Sequence, residues 1–377
     1  MHGLSQPFMS LDPDERARRL AEASRVLRDG GCVVMPTETV YGVFTRASDE
    51  GAEYLEQLTG KPRVINTPPF TLHLGDAEPT LSMLSLESPV ARRLVNRLTP
   101  GPVRLVVRQP ESVLEAICES VGMSRGFIDR DDMIALRLPD HPIARAVIRG
   151  SGHPALARGV GASRWGEPGK AQDLEMTTVY DSEDPPGMVI DDGATLHGKG
   201  STTINIWPDG RFEVLKGGSM DESEAMRVLT TRVLFVCTGN TCRSPMAEGI
   251  ARAWAKNRAP DGLTIEVGSA GIAAGDGYPA AEQAIETLHE RGSDLSTHQS
   301  RMLTLEMIDQ ADVIFTMTPS HAQAVMQIAP GAVHKVFPID PLHPIGDPIG
   351  QPIGVYREVA DQLESLVAKR LQEIIDE

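Results

Sequence analysis

A chain of 377 residues exceeds the usual size of one domain, and two domains are expected. Hydrophobic residues make up 41% and charged residues 23%, the balance of an ordinary globular protein, and no run of about 18 apolar residues predicts a membrane span. A net charge of −16 argues against a broad nucleic-acid-binding face, though not against one local basic pocket, and aromatics at 4% argue against stacking platforms for single strands.

The opening "MHGLSQPFMSLDPDE" lacks the basic start and apolar core of a secretory signal. The four cysteines (Cys32, Cys118, Cys237, Cys242) are too few and too scattered for a disulfide framework, so a reducing cytoplasm is the expected home. The first expected element is a helix from Pro13 to about Leu27, with Asp12 as N-cap, Pro13 in the first helical position and Glu15 completing a capping box. Gly30 and Gly31 end it. Cys32–Pro36 then reads as a buried strand and Pro36–Gly42 as a polar loop. A second apolar segment ends at Leu74, and Val103–Val107 and Met133–Pro139 read as further strands. The region closes with a hairpin around Pro208-Asp209-Gly210.

The small, polar and acidic stretch after Gly217, reaching about Thr231, suits a linker or a short connecting helix. Regular alternation follows. Strand Val233–Val236 leads to a helix ending near Asn257, and "LTIEVGSAG" is strand then turn. A helix near Ala280–Arg291, strand Asp312–Met317, a helix after Pro319, strand Lys335–Ile339 and a last helix from about Val355 complete the chain. Strands alternating with helices imply a parallel sheet covered on both faces.

The most informative stretch is "VLFVCTGNTCRSPMAEG", Val233 to Gly249. It reads as strand, tight loop and helix, with Ser244 as N-cap and Pro245 as first helical residue. Such a loop turns backbone N–H groups inward at the positive end of a helix and makes a seat for an oxyanion. Cys237 opens the loop. A cysteine there would have its thiolate stabilised by dipole and charge, whereas a free cysteine at a strand end is more commonly a buried structural thiol. Arg243 can hold two phosphate oxygens through its planar fork. Gly239 permits close approach of a ligand, and Thr238, Asn240 and Ser244 can hydrogen-bond the loop or the sulfur. These are the parts needed for nucleophilic attack on phosphorus by sulfur.

"CTGNTCRSPMAE" resembles the phosphate-binding loop of the low-molecular-weight protein phosphatase family, and the resemblance covers about Arg232–Glu377, with "SAG" (Ser269–Gly271), "HQSR" (His298–Arg301), "DVIFTM" and a late "DPIG". It implies a doubly wound α/β phosphatase domain over 232–377, a phosphocysteine on Cys237, Arg243 as clamp, and Thr238, Gly239, Asn240, Thr241, Cys242 and Ser244 lining the phosphate. No metal or cofactor is implied for this half, and the partner is a phosphorylated protein. The acid is one of two Asp-Pro pairs. Asp347 is chosen because "DPIGQPIGVY", with Tyr356 at the helix start, matches the family's acid loop; Asp340, which directly ends a strand, is second. Phosphotyrosine members carry a bulky aliphatic residue where Thr241 stands, and aromatics after the Asp-Pro, where Ile349-Gly350 stand here. A threonine resembles the protein-arginine phosphatases, although those usually have a phenylalanine at the place of Ile349. Phosphoarginine is favoured over phosphotyrosine. The thioredoxin-linked arsenate reductases need cysteines downstream of Cys242, and none follows. Cys242 itself either pairs with Cys237 under oxidant or fills space behind the loop; both readings stay open.

In the N-terminal half "PTETVYG", "TPGPVRLVV", "ALRLPDHP" and "STTINI" resemble the YrdC-type L-threonylcarbamoyl-AMP synthases over about 12–218, leaving 219–231 as linker. The resemblance implies a twisted α/β domain with a concave pocket for ATP, bicarbonate and threonine, or for another nucleotide or RNA. Thr37, Thr39, Tyr41, His73, Arg137 and Ser201 fall on family positions, and Lys61 and Arg63 stand in its cationic segment. Departures are Thr59 for lysine, Lys61 for arginine, Arg104 for threonine, and Gly161 and Ser163 in place of serine and asparagine. Each lost donor costs about 1–3 kcal/mol in a phosphate pocket, so reduced or absent synthase activity is expected. Two rival readings are a protein whose main activity is threonylcarbamoyl-AMP synthesis for tRNA modification, and a nucleotide- or RNA-sensing protein that regulates a tyrosine phosphatase.

Overall fold

The computed structural model describes residues 7–59, 68–76, 80–159 and 187–376. The chain divides into two compact units, Met1–Val228 and Leu229–Glu377. Among the described residues no helix is long and apolar enough to cross a membrane.

The first unit is built on one mixed sheet. Its strands are β1 (Val33–Pro36), β2 (Tyr41–Arg46), β3 (Leu72–His73), β4 (Val103–Arg108), β5 (Asp129–Arg130), β6 (Met133–Arg137), β7 (Ala155–Gly159), β8 (Met188–Val189), β9 (Thr202–Ile206) and β10 (Phe212–Lys216). They lie in the order β10-β9-β4-β6-β3-β7-β2-β1-β8, with β5 on β6. The helices are α1 (Pro13–Arg28), α2 (Asp49–Thr59), α3 (Pro89–Leu98), α4 (Glu111–Val121), α5 (Pro142–Ser151) and α6 (Glu222–Arg227). Leu27 of α1, Met35 and Phe44 of the first two strands and Ile143 and Val147 of α5 share one buried cluster.

Two local expectations are corrected. Asp12 caps α1 by accepting the Asp14 and Glu15 N–H groups, but Glu15 does not reach back; its carboxylate takes Arg18 and Arg19 one turn on. Pro36–Gly42 is not an open loop. Pro36 pairs with Tyr41 and Met35 with Gly42, so Tyr41 and Gly42 belong to β2 and only 37–40 turn. The stretch 219–231 holds a short connecting helix, as expected: α6, whose reciprocal box joins Asp221 and Glu224, followed by the start of the next strand.

The second unit carries a parallel sheet of β11 (Thr230–Cys237), β12 (Thr264–Gly271), β13 (Val313–Thr316) and β14 (Val336–Pro338), in the order β12-β11-β13-β14. Its first strand begins three residues before Val233 because Thr230–Arg232 pair with Thr264–Glu266. The helices are α7 (Arg243–Arg258), α8 (Glu282–His289), α9 (Leu305–Gln310), α10 (Pro319–Ile328) and α11 (Ile353–Asp376). Successive residues of β11 serve opposite faces. Val233, Phe235 and Cys237 pack with Met246, Leu288, Tyr356 and Leu363, while Leu234 and Val236 pack with Ile308, Ile314 and Val325. Strand order reverses at β11, with β12 on one side and β13 on the other. In an open α/β sheet the crevice at the carboxyl ends beside such a reversal is where ligands bind. Cys237 ends β11 there.

Candidate active site

The loop 238–242 leaves β11 and enters α7. The helix begins at Arg243, not Pro245, and Ser244 is not its cap. The Ser244 hydroxyl is turned inward instead, 3.0 Å from Cys237 Sγ, and it accepts from Asn240 Nδ2 at 3.0 Å. Cys237 is buried, and its sulfur also accepts the Asn240 N–H at 3.3 Å.

The carbonyls of the loop face away from that sulfur. Cys237 O accepts from Ile272 N and Thr238 O from Ala273 N, both at 3.0 Å, and Thr241 O accepts from Ala281 N at 2.9 Å. Asn240 O accepts from His298 Nε2 at 2.8 Å. A peptide plane points its N–H opposite to its C=O. With the carbonyls of 238, 240 and 241 turned outward, the N–H groups of 239, 241 and 242 turn inward, and an anion seat results.

Asn240 locks this conformation. Its φ of 55° is left-handed, a region asparagine tolerates better than most residues. Its Nδ2 donates to Ser244 and, at 2.8 Å, to Ser269, and its Oδ1 accepts Arg301 N–H at 3.0 Å. Ser269 in turn donates to buried Glu248 at 2.5 Å, and Glu248 pairs with Arg252. Gly271 has no room for a side chain: a Cβ would lie 2.5 Å from Thr238 O and 2.9 Å from Asn240 N. A Cβ on Gly239 would meet nothing closer than Thr241 Oγ1 at 3.7 Å, so packing does not demand glycine there, and the open space would let a ligand approach the backbone.

Arg243 is buried. Nη1 donates to Ile345 O at 3.2 Å, and Nη2 to Thr238 Oγ1 at 3.4 Å and to Asp347 Oδ2 at 2.5 Å. Its buried Nε has no hydrogen-bond partner among the described residues. A buried guanidinium donor left open beside an N–H nest suits an incoming oxyanion. Asp347 is half exposed on its side-chain surface, while Asp340 caps its own turn through Leu342 N–H at 2.9 Å, a bond that holds its carboxyl below the usual range. The geometry therefore brings Asp347 to the arginine. Cys242 and Cys237 are both free thiols, and Cys242 Sγ lies 3.5 Å from the Tyr356 hydroxyl, whose pKa burial pushes up. Thr241 is partly exposed at the loop.

The sequence gives no role to His298, Glu248, Ser269 or Arg301, although the quoted motifs contain all four. It gives none to His321 either, which sits 2.9 Å from Thr238 Oγ1.

In the first unit Thr37, Tyr41, His73, Arg137 and Ser201 line one cavity of about 200 Å³, together with Arg104 and Lys216. Thr39 stands behind it, 2.9 Å from the Thr37 hydroxyl. Arg137 Nη2 donates to Thr39 and to Glu38 at 2.8 Å, a buried ion pair that sequence reading did not foresee. His73 is pushed down to about 3 by burial and by Arg137 and Arg104, so it is neutral near pH 7. Arg104 donates to Thr71 Oγ1 at 2.7 Å and to Pro68 O at 2.9 Å, and burial beside Arg158 pushes it down to about 10. Lys61, Arg63, Gly161 and Ser163 lie outside the described residues.

An anion seat with a thiol at its base places the second unit among phosphatases that work through sulfur. The chain belongs to the family described as low molecular weight phosphotyrosine protein phosphatase, matched over residues 232–377, and its N-terminal part belongs to the family described as telomere recombination, the YrdC type, matched over residues 25–218. The protein-arginine-phosphatase of Geobacillus stearothermophilus is 40% identical over 149 residues, covering 37% of this chain and 96% of that one. That of Bacillus subtilis is 35% identical over 147 residues, 38% of this chain and 95% of that one. The threonylcarbamoyl-AMP synthase of Bacillus subtilis is 27% identical over 205 residues, 54% of this chain and 55% of that one, so the chain spans about half the length of that relative.

Asn240→Ala removes the amide that ties Ser244, Ser269 and Arg301 to the loop. A misplacement of about 1 Å costs on the order of 10²-fold in rate, and kcat/KM for an aryl phosphate is expected to fall by that order. Steady-state kinetics at near wild-type level would show that the loop holds without this clamp.

Proposed function

We propose that the second unit hydrolyses phosphorylated arginine side chains of proteins. Cys237 attacks phosphorus as the thiolate, the P–N bond breaks, and Asp347, in its protonated form once the arginine has turned away, delivers its proton to the leaving guanidino nitrogen. Asp347, now a carboxylate, takes a proton from the water that attacks the phosphocysteine, and phosphate leaves. Arg243 turns its fork from Asp347 to the phosphoryl oxygens, which releases the acid for its proton transfer. The observation that carries the cysteine mechanism is the inward-facing loop around Cys237, with the unpartnered Nε of Arg243 beside it.

For the substrate, Thr241 carries the reading. It places a hydroxyl at the loop where a guanidino group would leave, and Ile349, not an aromatic residue, follows Pro348 and is 63% exposed. The two arginine-phosphatase relatives support the same choice.

For the first unit we infer a diverged pocket with little or no threonylcarbamoyl-AMP synthesis. The described residues do not fit the full substrate set. Arg104 stands where the resemblance asks for threonine and binds Thr71 and Pro68, and Arg137 is engaged by Glu38 and Thr39.

Cys237→Ser is expected to lose turnover while still binding vanadate, and Asp347→Asn to lose roughly 10²–10⁴-fold in kcat, less with very good leaving groups. The reverse result, a large loss for Asp340→Asn and none for Asp347→Asn, would move the acid to the other Asp-Pro pair.

The substrate is decided by the ratio of kcat/KM for phosphoarginine and phosphotyrosine peptides. Thr241→Ile is expected to shift that ratio toward phosphotyrosine by about 1–3 kcal/mol, the usual value of a small change in pocket shape. A wild-type enzyme that prefers phosphotyrosine, or a ratio unmoved by the substitution, would favour a tyrosine phosphatase.

The full chain given ATP, bicarbonate and threonine is expected to release little pyrophosphate. Robust threonine-dependent release would mean that Arg104 and the other altered positions are tolerated.

A further inference from the structure

Thr238 is exposed at the head of the phosphate loop, and the side chain beneath it is His321, only 4% exposed, near the start of α10. The helix is capped by Thr318, whose Oγ1 accepts the His321 N–H. The imidazole spans the space between the cap and the loop: Nδ1 lies 2.9 Å from Thr318 Oγ1 and Nε2 lies 2.9 Å from Thr238 Oγ1. Thr238 Oγ1 also accepts from Arg243 Nη2, the same nitrogen that holds Asp347. Cap, imidazole, loop hydroxyl, guanidinium and carboxylate thus form one continuous chain of contacts.

We propose that His321 is a positioning residue for phosphoryl transfer, which acts through the Thr238 hydroxyl to fix the Arg243 fork over the loop. This rests on the reading of that loop as a phosphatase site.

The imidazole suits this place because of its charge state. A neutral ring offers one donor and one acceptor, and so bonds a hydroxyl on each side without adding charge. The charged groups that face it are Arg243 from α7 and Asp347 from the loop after β14, and α10 itself supplies no other titratable side chain. Burial pushes the imidazole down to about 4, with Arg243 adding to the shift and Asp347 opposing it. A cationic ring would set a second positive charge against Arg243 and compete with it for Asp347. It would also offer two donors, obliging both threonine hydroxyls to accept. The neutral ring leaves Arg243 as the positive group at the loop head.

The test uses the full-length protein with an aryl phosphate, and with phosphoarginine and phosphotyrosine peptides. His321→Ala is expected to lower kcat/KM about 3- to 10-fold, the value of one hydrogen bond. His321→Gln, whose amide keeps one donor and one acceptor, is expected to recover most of that loss. Equal impairment of both variants, or none in either, overturns the proposal. A second readout is taken on the wild type and needs the glutamine variant only to assign the resonance. In the ¹⁵N-labelled wild type, the ring resonance that vanishes in His321→Gln should stay neutral down to about pH 5 and shift when vanadate binds. Titration near the ordinary value of about 6.5, or indifference to vanadate, would overturn it. A wild-type protein inactive on all three substrates would sink the phosphatase reading itself. Activity on any of them with unaffected variants would sink only the role of His321.

Discussion

The second unit depends on backbone carbonyls that face away from one sulfur atom. Each carbonyl is held from outside the loop: two by residues just past β12, one by the residue that precedes α8, one by the ring of His298. The register of the sheet supplies the first two, because Cys237 pairs with Gly271 and the chain beyond each runs on together. The nest is therefore not a property of the loop alone. The parallel pairing of β11 with β12 sets where the outward bonds can form, and the inward N–H groups follow from peptide planarity.

The two units treat their arginines differently. Arg137 is closed in, with Glu38 and two threonine hydroxyls around it, and both members of the ion pair are buried. Separating such a pair would strand a buried charge, and this favours a fixed wall. Arg243 is equally buried but its carboxylate partner is half exposed and sits on a loop. That pair can open at lower cost, since Asp347 is taken up by water when it leaves. The acid role proposed for Asp347 needs this freedom.

The alternation of strands and helices after residue 232, the sulfur–arginine spacing and the hairpin at Pro208 were all legible in the sequence, because each is carried by neighbours along the chain. The clamp on Asn240 was not. Its partners Ser269 and Arg301 lie 29 and 61 residues away, and only the folded sheet brings them together. The start of α7 was misplaced for a related reason: Ser244 has the composition of a cap, but its hydroxyl is claimed by Asn240 and the sulfur. Pro36–Gly42 reads as loop by its polar residues, yet Tyr41 is drawn into β2 by its pairing with Pro36 and the bonds of its hydroxyl to Gly193 and Asp191. Arg104 is visible in the sequence as a departure. That its guanidinium grips Thr71 and Pro68 is visible only in three dimensions.

The parallel pairing of β4 with β9 joins Val103–Val107 to Thr202–Ile206, residues about a hundred positions apart. No part of the sheet beyond that junction, β10 included, can be placed until the chain has been made past Ile206. In the second unit the first parallel pair, β11 with β12, is closed within a few tens of residues. Folding rate falls as the mean separation of contacting residues grows. During synthesis the first unit therefore completes its sheet only as the second begins to emerge, and β9, which lies between β4 and β10, and the edge strand β10 are the last of its ladder to be made.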